Sequence, residues 1–147
     1  MRCACLKRTK WLFYLYCIGM LVLLFGVRLG TQGEMRWNLR PLDTIGRYLW
    51  VLRHSGNVRQ RMYALANLGG NVLLLVPLGI FLPMLATDCR VWRKGTLWLL
   101  VILLAVELTQ LVTKLGTCDV DDLLLNFAGT QLGWILWKIG TFCTSRT

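Results

Sequence analysis

The stretch Leu65–Ala86 reads LANLGGNVLLLVPLGIFLPMLA, and no charged residue interrupts it. A transmembrane helix needs about 20 mostly apolar residues, so this stretch predicts one. Working outward, three more windows are of the same kind: Trp11 to about Leu29, about Leu97 to Thr113, and about Leu123 to Phe142. Each is bounded by charges or glycine. No long stretch alternates with a period of two, which argues against a membrane β-barrel. The pattern predicts an all-α membrane protein, a four-transmembrane-helix bundle forming a single domain over residues 1–147.

Composition points the same way. The chain has 147 residues, 56% apolar and 16% charged, with 17 Lys and Arg against 7 Asp and Glu for a net charge of +10. An average soluble domain is about half apolar and about a quarter charged. The apolar content excludes disorder. A chain this short also has too much surface to hide so many apolar side chains from water. The basic start of the first window, Arg2, Lys7, Arg8 and Lys10, suits a signal peptide. Its apolar run is long for that role and no small-x-small cleavage signal follows, so it reads as a retained anchor.

Lys and Arg in short connections set the orientation. The N-terminal segment has four positive charges and no acid, and Asp88–Lys94 has Arg90, Arg93 and Lys94 against Asp88. Lys114–Asp122 has one Lys against Asp119, Asp121 and Asp122. Both termini are therefore expected in the cytoplasm, with the acidic connection outside. Trp11, Trp92 and Trp98 fall at the inner headgroup level. Gly30–Ala64 resists the rule: it lies outside yet carries Arg36, Arg40, Arg47, Arg53, Arg59 and Arg61, opposed by Glu34 and Asp43. Within it Leu42, Ile45, Leu49 and Leu52 recur at helical spacing beside Tyr48 and Trp50. This predicts a short amphipathic interfacial helix after the first span; the alternative is a solvated basic loop. On the helical reading Arg40 and Arg47 contact lipid headgroups. Nucleic acid is a poor partner for a basic face on that side of a membrane.

The six cysteines do not form a disulfide framework. Cys3, Cys5, Cys89 and Cys143 fall on the reducing side, Cys17 within lipid, and Cys118 alone outside. Cys3-x-Cys5 has no second pair and His54 is the only histidine, so neither a zinc set nor a choice of Ser-His-Asp partners exists. No Gly-rich phosphate loop occurs, and no cofactor is expected.

The informative residues are polar ones inside apolar windows. Glu107 sits near the middle of the third window, where a carboxylate costs several kcal/mol unless paired, protonated or hydrated. Gln110, three residues on, shares its face. Either residue can glue helices together by hydrogen bonding, but Gln or Ser does that at lower cost, so Glu107 reads as functional. Asn67 and Asn71 share a face, with Gly69 and Gly70 between them and Pro77-Leu78-Gly79 following. Such a helix is broken, kinked or closely approached by another backbone. The fourth window opens on Asp119-Val120-Asp121-Asp122, then Asn126, then Gly129-x-x-x-Gly133. Acidic residues cap and stabilise a helix N-terminus, yet one cap does not need three carboxylates. Hard oxygen ligands at this density could hold Ca²⁺ or Mg²⁺ or attract a cationic ligand, although this loop alone cannot supply a full calcium set. The glycine pair lets another helix come close. Together Asn67, Asn71, Glu107, Gln110, Asp119, Asp121, Asp122 and Asn126 predict one polar cluster, a ligand-binding cleft open to the outside.

Three blocks carry a family resemblance: Asn38-Leu39-Arg40-Pro41-Leu42-Asp43-Thr44-Ile45, Asn67 through Gly79, and Glu107-Leu-Thr-Gln110 followed by Asp119 through Gly129. In this order they resemble the VanZ-like family of small membrane proteins. Leu42 stands where relatives carry an aromatic, and Gly116-Thr117-Cys118 lacks the basic residue often found before the acidic run. Some relatives also have a further C-terminal span. The resemblance implies a bacterial cell-envelope protein. The family's namesake is associated with resistance to teicoplanin and related lipoglycopeptides. The expected role is non-enzymatic binding or surface modification, with a membrane lipid or lipid-linked ligand as partner, a lipoglycopeptide among the candidates. The alternative is a metal-assisted enzyme acting on a lipid-linked headgroup, with the Asp119–Asp122 carboxylates and Glu107 as ligands or general base.

Overall fold

The structure is a computed structural model, and it describes residues 2–25, 36–114 and 117–144. The end of the first apolar window (26–29), the start of the arginine-rich connection (30–35) and Gly116 lie outside them, as do the side chains of Arg2, Cys3, Cys5, Arg36 and Cys118. The described residues form five α-helices: α1 (Arg2–Phe25), α2 (Asp43–His54), α3 (Val58–Leu85), α4 (Trp92–Thr113) and α5 (Val120–Thr144). A 3-10 turn, Thr87–Arg90, joins α3 to α4, and two three-residue strands, β1 (Arg36–Asn38) and β2 (Thr117–Asp119), complete the chain.

Each helix that carries an apolar window begins before it. Apolarity marks where lipid-compatible surface starts, whereas capping marks where the helix starts. Asn57 caps α3, its side-chain oxygen accepting from the Arg59 N–H at 2.9 Å, so the polar turn from Val58 joins the helix ahead of Leu65. The helical spacing around Ile45 and Leu49 does form a helix, α2, rather than a loop.

Two helices, α3 and α4, are long and apolar enough to cross a membrane, and only 22% and 28% of their most apolar windows are buried. Apolar helices left this bare fit a lipid solvent better than water. The described apolar part of α1 runs only from Trp11 to Phe25, and Asn126, Gln131 and Lys138 interrupt that of α5. Both helices nevertheless turn large apolar side chains outward, among them Leu15 and Ile18 on α1 and Ile135 and Ile139 on α5.

Glycine decides the main packing. Gly129 and Gly133 of α5 lie against the backbone of α3 at Val72 and Val76, and Gly79 of α3 lies against Thr130 of α5. A Cβ at any of the three would overlap a backbone carbonyl oxygen. Matching positions rise together along both chains, so α3 and α5 run parallel. The close approach allowed for the α3 segment therefore occurs, but at Gly79; no described residue crowds Gly69 or Gly70. Helix α4 runs antiparallel to α5, with Trp92 Nε1 and Thr96 Oγ1 each donating to Gln131 Oε1 at 3.1 Å. The core is Met20, Leu75, Leu78, Leu99 and Leu103.

Helix α1 runs antiparallel to α3, with Phe81 meeting Phe13 edge-on and Tyr16 at a tilt. Helix α3 continues through Pro77 and Pro83. A proline has no N–H for the carbonyl four residues back. Tyr16 donates its hydroxyl to the Leu74 carbonyl at 2.8 Å, one residue beyond the carbonyl that Pro77 leaves without its helical donor. A neighbouring helix thus supports the weakened turn. Tyr16→Phe is expected to cost about 1 kcal/mol, read as a lower thermal midpoint of the purified protein; an unchanged midpoint would remove this role.

Strands β1 and β2 pair in parallel, Asn38 opposite Asp119. The pairing brings the chain entering α2 beside the chain entering α5, at one end of the bundle. That strand end carries every candidate polar residue.

Candidate functional site

Helix α2 begins badly on its own. Its N-cap position is Leu42, which has no capping side chain and sits at φ 66°, in the left-handed region. The cap comes from α5. Asp121 Oδ1 accepts from the Leu42 N–H at 2.6 Å and Oδ2 from the Ile45 N–H at 3.0 Å. One carboxylate from a different helix thus does both jobs of a capping box, and Asp121 is completely buried in doing so. Asp119 works alongside it. Its Oδ1 accepts from the Asp121 N–H at 2.9 Å, capping α5, and its Oδ2 accepts from Thr44 Oγ1 at 2.7 Å. Asn38 Nδ2 reaches both Asp119 oxygens at 3.4 Å and Thr44 Oγ1 at 2.9 Å. Both oxygens of each carboxylate already accept a donor, so capping two helices explains two of the three acids.

Asp122 points elsewhere. Asn71 of α3 donates to its Oδ1 at 2.6 Å, joining α3 to α5. Tyr48 of α2 lies close enough for the Asp122 carboxylate to add to the upward push that burial and then Tyr63 give its phenol, with Arg47 opposing. Asn67 stays apart, donating to the Tyr63 carbonyl of its own helix at 2.8 Å.

One helical turn beyond Asp122, Asn126 reaches a cavity of about 210 Å³. Described residues of α1, α3, α4 and α5 line it. Its walls are apolar and include Met20, Leu75, Leu78, Ile102, Leu103 and Val106, with Tyr16 and Cys17 from α1. Glu107, Gln110 and Asn126 form its polar end. Glu107 and Gln110 are only 7% and 6% exposed. The side-chain oxygen of Asn126 is buried with no hydrogen-bond partner among the described residues. Among the described residues α1 packs mainly on α3, and Leu21, which lines the cavity, is more than half exposed.

Of the eight candidate cluster residues, the structure brings Glu107, Gln110 and Asn126 to one cavity and sets the Asn71–Asp122 pair a turn above it. It gives Asp119 and Asp121 to the frame and leaves Asn67 outside. Arg47 is exposed, bonded to Asp43 Oδ2 and Thr44 Oγ1 at 3.2 Å each. Arg40 is exposed, with its backbone N–H donating to Asn38 Oδ1 at 3.2 Å. Sequence reasoning missed the wall that α1 supplies. Tyr16, a hydroxyl within an apolar run, was the signal available.

A small helical bundle with lipid-compatible faces and a polar-ended cavity defines the class. Sequence comparison defines the family: the VanZ/LLP1 family model matches residues 11–141, and the chain belongs to the VanZ-like family. No curated protein and no solved structure matches it significantly. Family and apolar helices together fit a membrane protein.

Proposed function

We propose that this protein is a four-span membrane protein of the bacterial cell envelope, with both termini in the cytoplasm, that binds a membrane lipid or lipid-linked ligand without chemically altering it. The observation that carries this reading is the cavity: apolar walls for a hydrocarbon tail, and Glu107, Gln110 and Asn126 at one end for a polar head. The antiparallel order of α1, α3 and α4, with α3 parallel to α5, agrees with four crossings. The charge rule then puts the strand end outside, α2 lies along the outer headgroups, and Arg40 and Arg47 meet anionic groups there. Through the family resemblance we extend the role to tolerance of lipoglycopeptides such as teicoplanin.

The enzymatic alternative has less support. The four oxygens of Asp119 and Asp121 already accept hydrogen bonds, which leaves Asp122 and Glu107 to do the work of a divalent-ion set.

The test is a deletion strain carrying wild type, Glu107→Ala or Asn126→Ala, scored for teicoplanin susceptibility and for membrane protein level. Both variants are expected to fall at least fourfold in tolerance, to the deletion value, at normal level. Full tolerance in both at normal level would end the proposal.

A further inference from the structure

The cavity's polar end has a chemical sense. A carboxyl group and the side-chain oxygen of Asn126 face it, and that oxygen is buried with no hydrogen-bond partner among the described residues. Buried acceptors left without a donor are uncommon and costly. The charge of the lining is equally telling. In a chain of net charge +10, no Lys, Arg or His is among the described residues that line the cavity, and the one carboxylic acid among them is Glu107. An anionic head entering here would face the Glu107 carboxyl with only the amide N–H groups of Gln110 and Asn126, and no cation among the described lining residues, to offset its desolvation. A head that donates hydrogen bonds would satisfy Asn126 and be drawn to Glu107.

We propose that the cavity selects single-chain amphiphiles whose head donates hydrogen bonds, an amine or a hydroxyl, and rejects those headed by carboxylate or phosphate. The inference rests on the ligand-binding reading above and names the head that reading leaves open. The tail lies along Leu75, Leu78 and Leu103 and leaves past the exposed Leu21 of α1. Leu21 lines the cavity and is more than half exposed, so the ligand enters sideways past it and the head is selected at Glu107, Gln110 and Asn126. Selection by a polar group that must find its complement is much sharper than selection by apolar fit.

The full chain, purified in detergent, can be unfolded thermally with dodecylamine, dodecanol, dodecanoate or dodecyl phosphate, which share one tail. At saturation the donor-headed probes are expected to raise the midpoint by about 5 °C and the acid-headed probes not to raise it. The larger of the amine and alcohol shifts names the preferred donor. Asn126→Leu removes the buried acceptor while keeping similar volume. Its midpoint without probe is expected to equal or exceed wild type, while the advantage of the donor heads falls. Equal shifts from all four probes would overturn the donor inference but leave ligand binding standing. No shift from any probe would overturn both.

Discussion

Alanine at Gly129 or Gly133 is expected to remove most of the folded protein from the membrane, while alanine at Gly69 or Gly70 leaves its level unchanged or higher. All four glycines lie inside helices, where Ala is the better helix former by about 0.5–1 kcal/mol. Helix propensity alone therefore predicts a gain at every one. The neighbourhood reverses the sign at two of them. A Cβ at Gly129 meets the Val72 backbone, and one at Gly133 meets Val76 and Gly79, with no flexible side chain among the nearest atoms to move aside. Relief requires α3 and α5 to separate, at a cost of about 3 kcal/mol, and those two helices make the most extensive contact in the bundle. At Gly69 and Gly70 no described residue lies within 4 Å of an added Cβ, so only the propensity gain remains. Membrane protein level and thermal midpoint of the four variants check this. The same sign at all four positions would refute the close parallel packing of α3 on α5.

Asp121→Ala is expected to release the start of α2 while the bundle below it stays assembled. The variant strands two backbone donors, Leu42 N–H and Ile45 N–H, and the N-cap residue Leu42 has no side-chain acceptor to replace the lost carboxylate. Hydrogen bonds to a carboxylate are worth about 1.5–3 kcal/mol each, so the local loss is about 3 kcal/mol or more. It falls on a helix whose N-cap residue already holds a left-handed backbone. Hydrogen exchange should rise at the first turn of α2 by roughly a hundredfold, with α3 and α4 protected as before. Asp121→Asn is expected to fall between the two, since an amide offers one acceptor oxygen where the carboxylate offers two. Unchanged exchange in the first turn of Asp121→Ala would show that α2 does not depend on α5.

These two results depend on features of different legibility. The glycine pair on α5 was readable, because small residues four apart in an apolar window have few other uses. Its partner was harder: Gly69 and Gly70 looked equally suited, and only the relative height of the helices selects Gly79. For the site, Glu107, Gln110 and Asn126 stood out because each is costly where lipid surrounds a helix. The three acids before Asn126 were visibly too many for one cap. The second customer, α2, lies far back in the chain, and neither spacing nor composition links Leu42 to Asp121. Asn67 illustrates the converse. It shares a face with Asn71 yet turns its amide to its own backbone at Tyr63, a bond open to any asparagine on a helix. The contribution of α1 was least legible, because the residues it gives the cavity, Tyr16, Cys17 and Met20, are ordinary within an apolar span.

The proposed ligand role requires a cavity among α1, α3, α4 and α5 that takes a chosen molecule from the membrane. The direct measurement places a photoreactive amino acid at Ile102, which lines the cavity, or at Val101, its outward-facing neighbour. Adducts formed in living cells are then identified by mass spectrometry. Val101 should capture lipids in their bulk proportions, whereas Ile102 should enrich one chemical class, and Glu107→Gln should abolish that enrichment. Matching adduct profiles at the two positions would contradict the account.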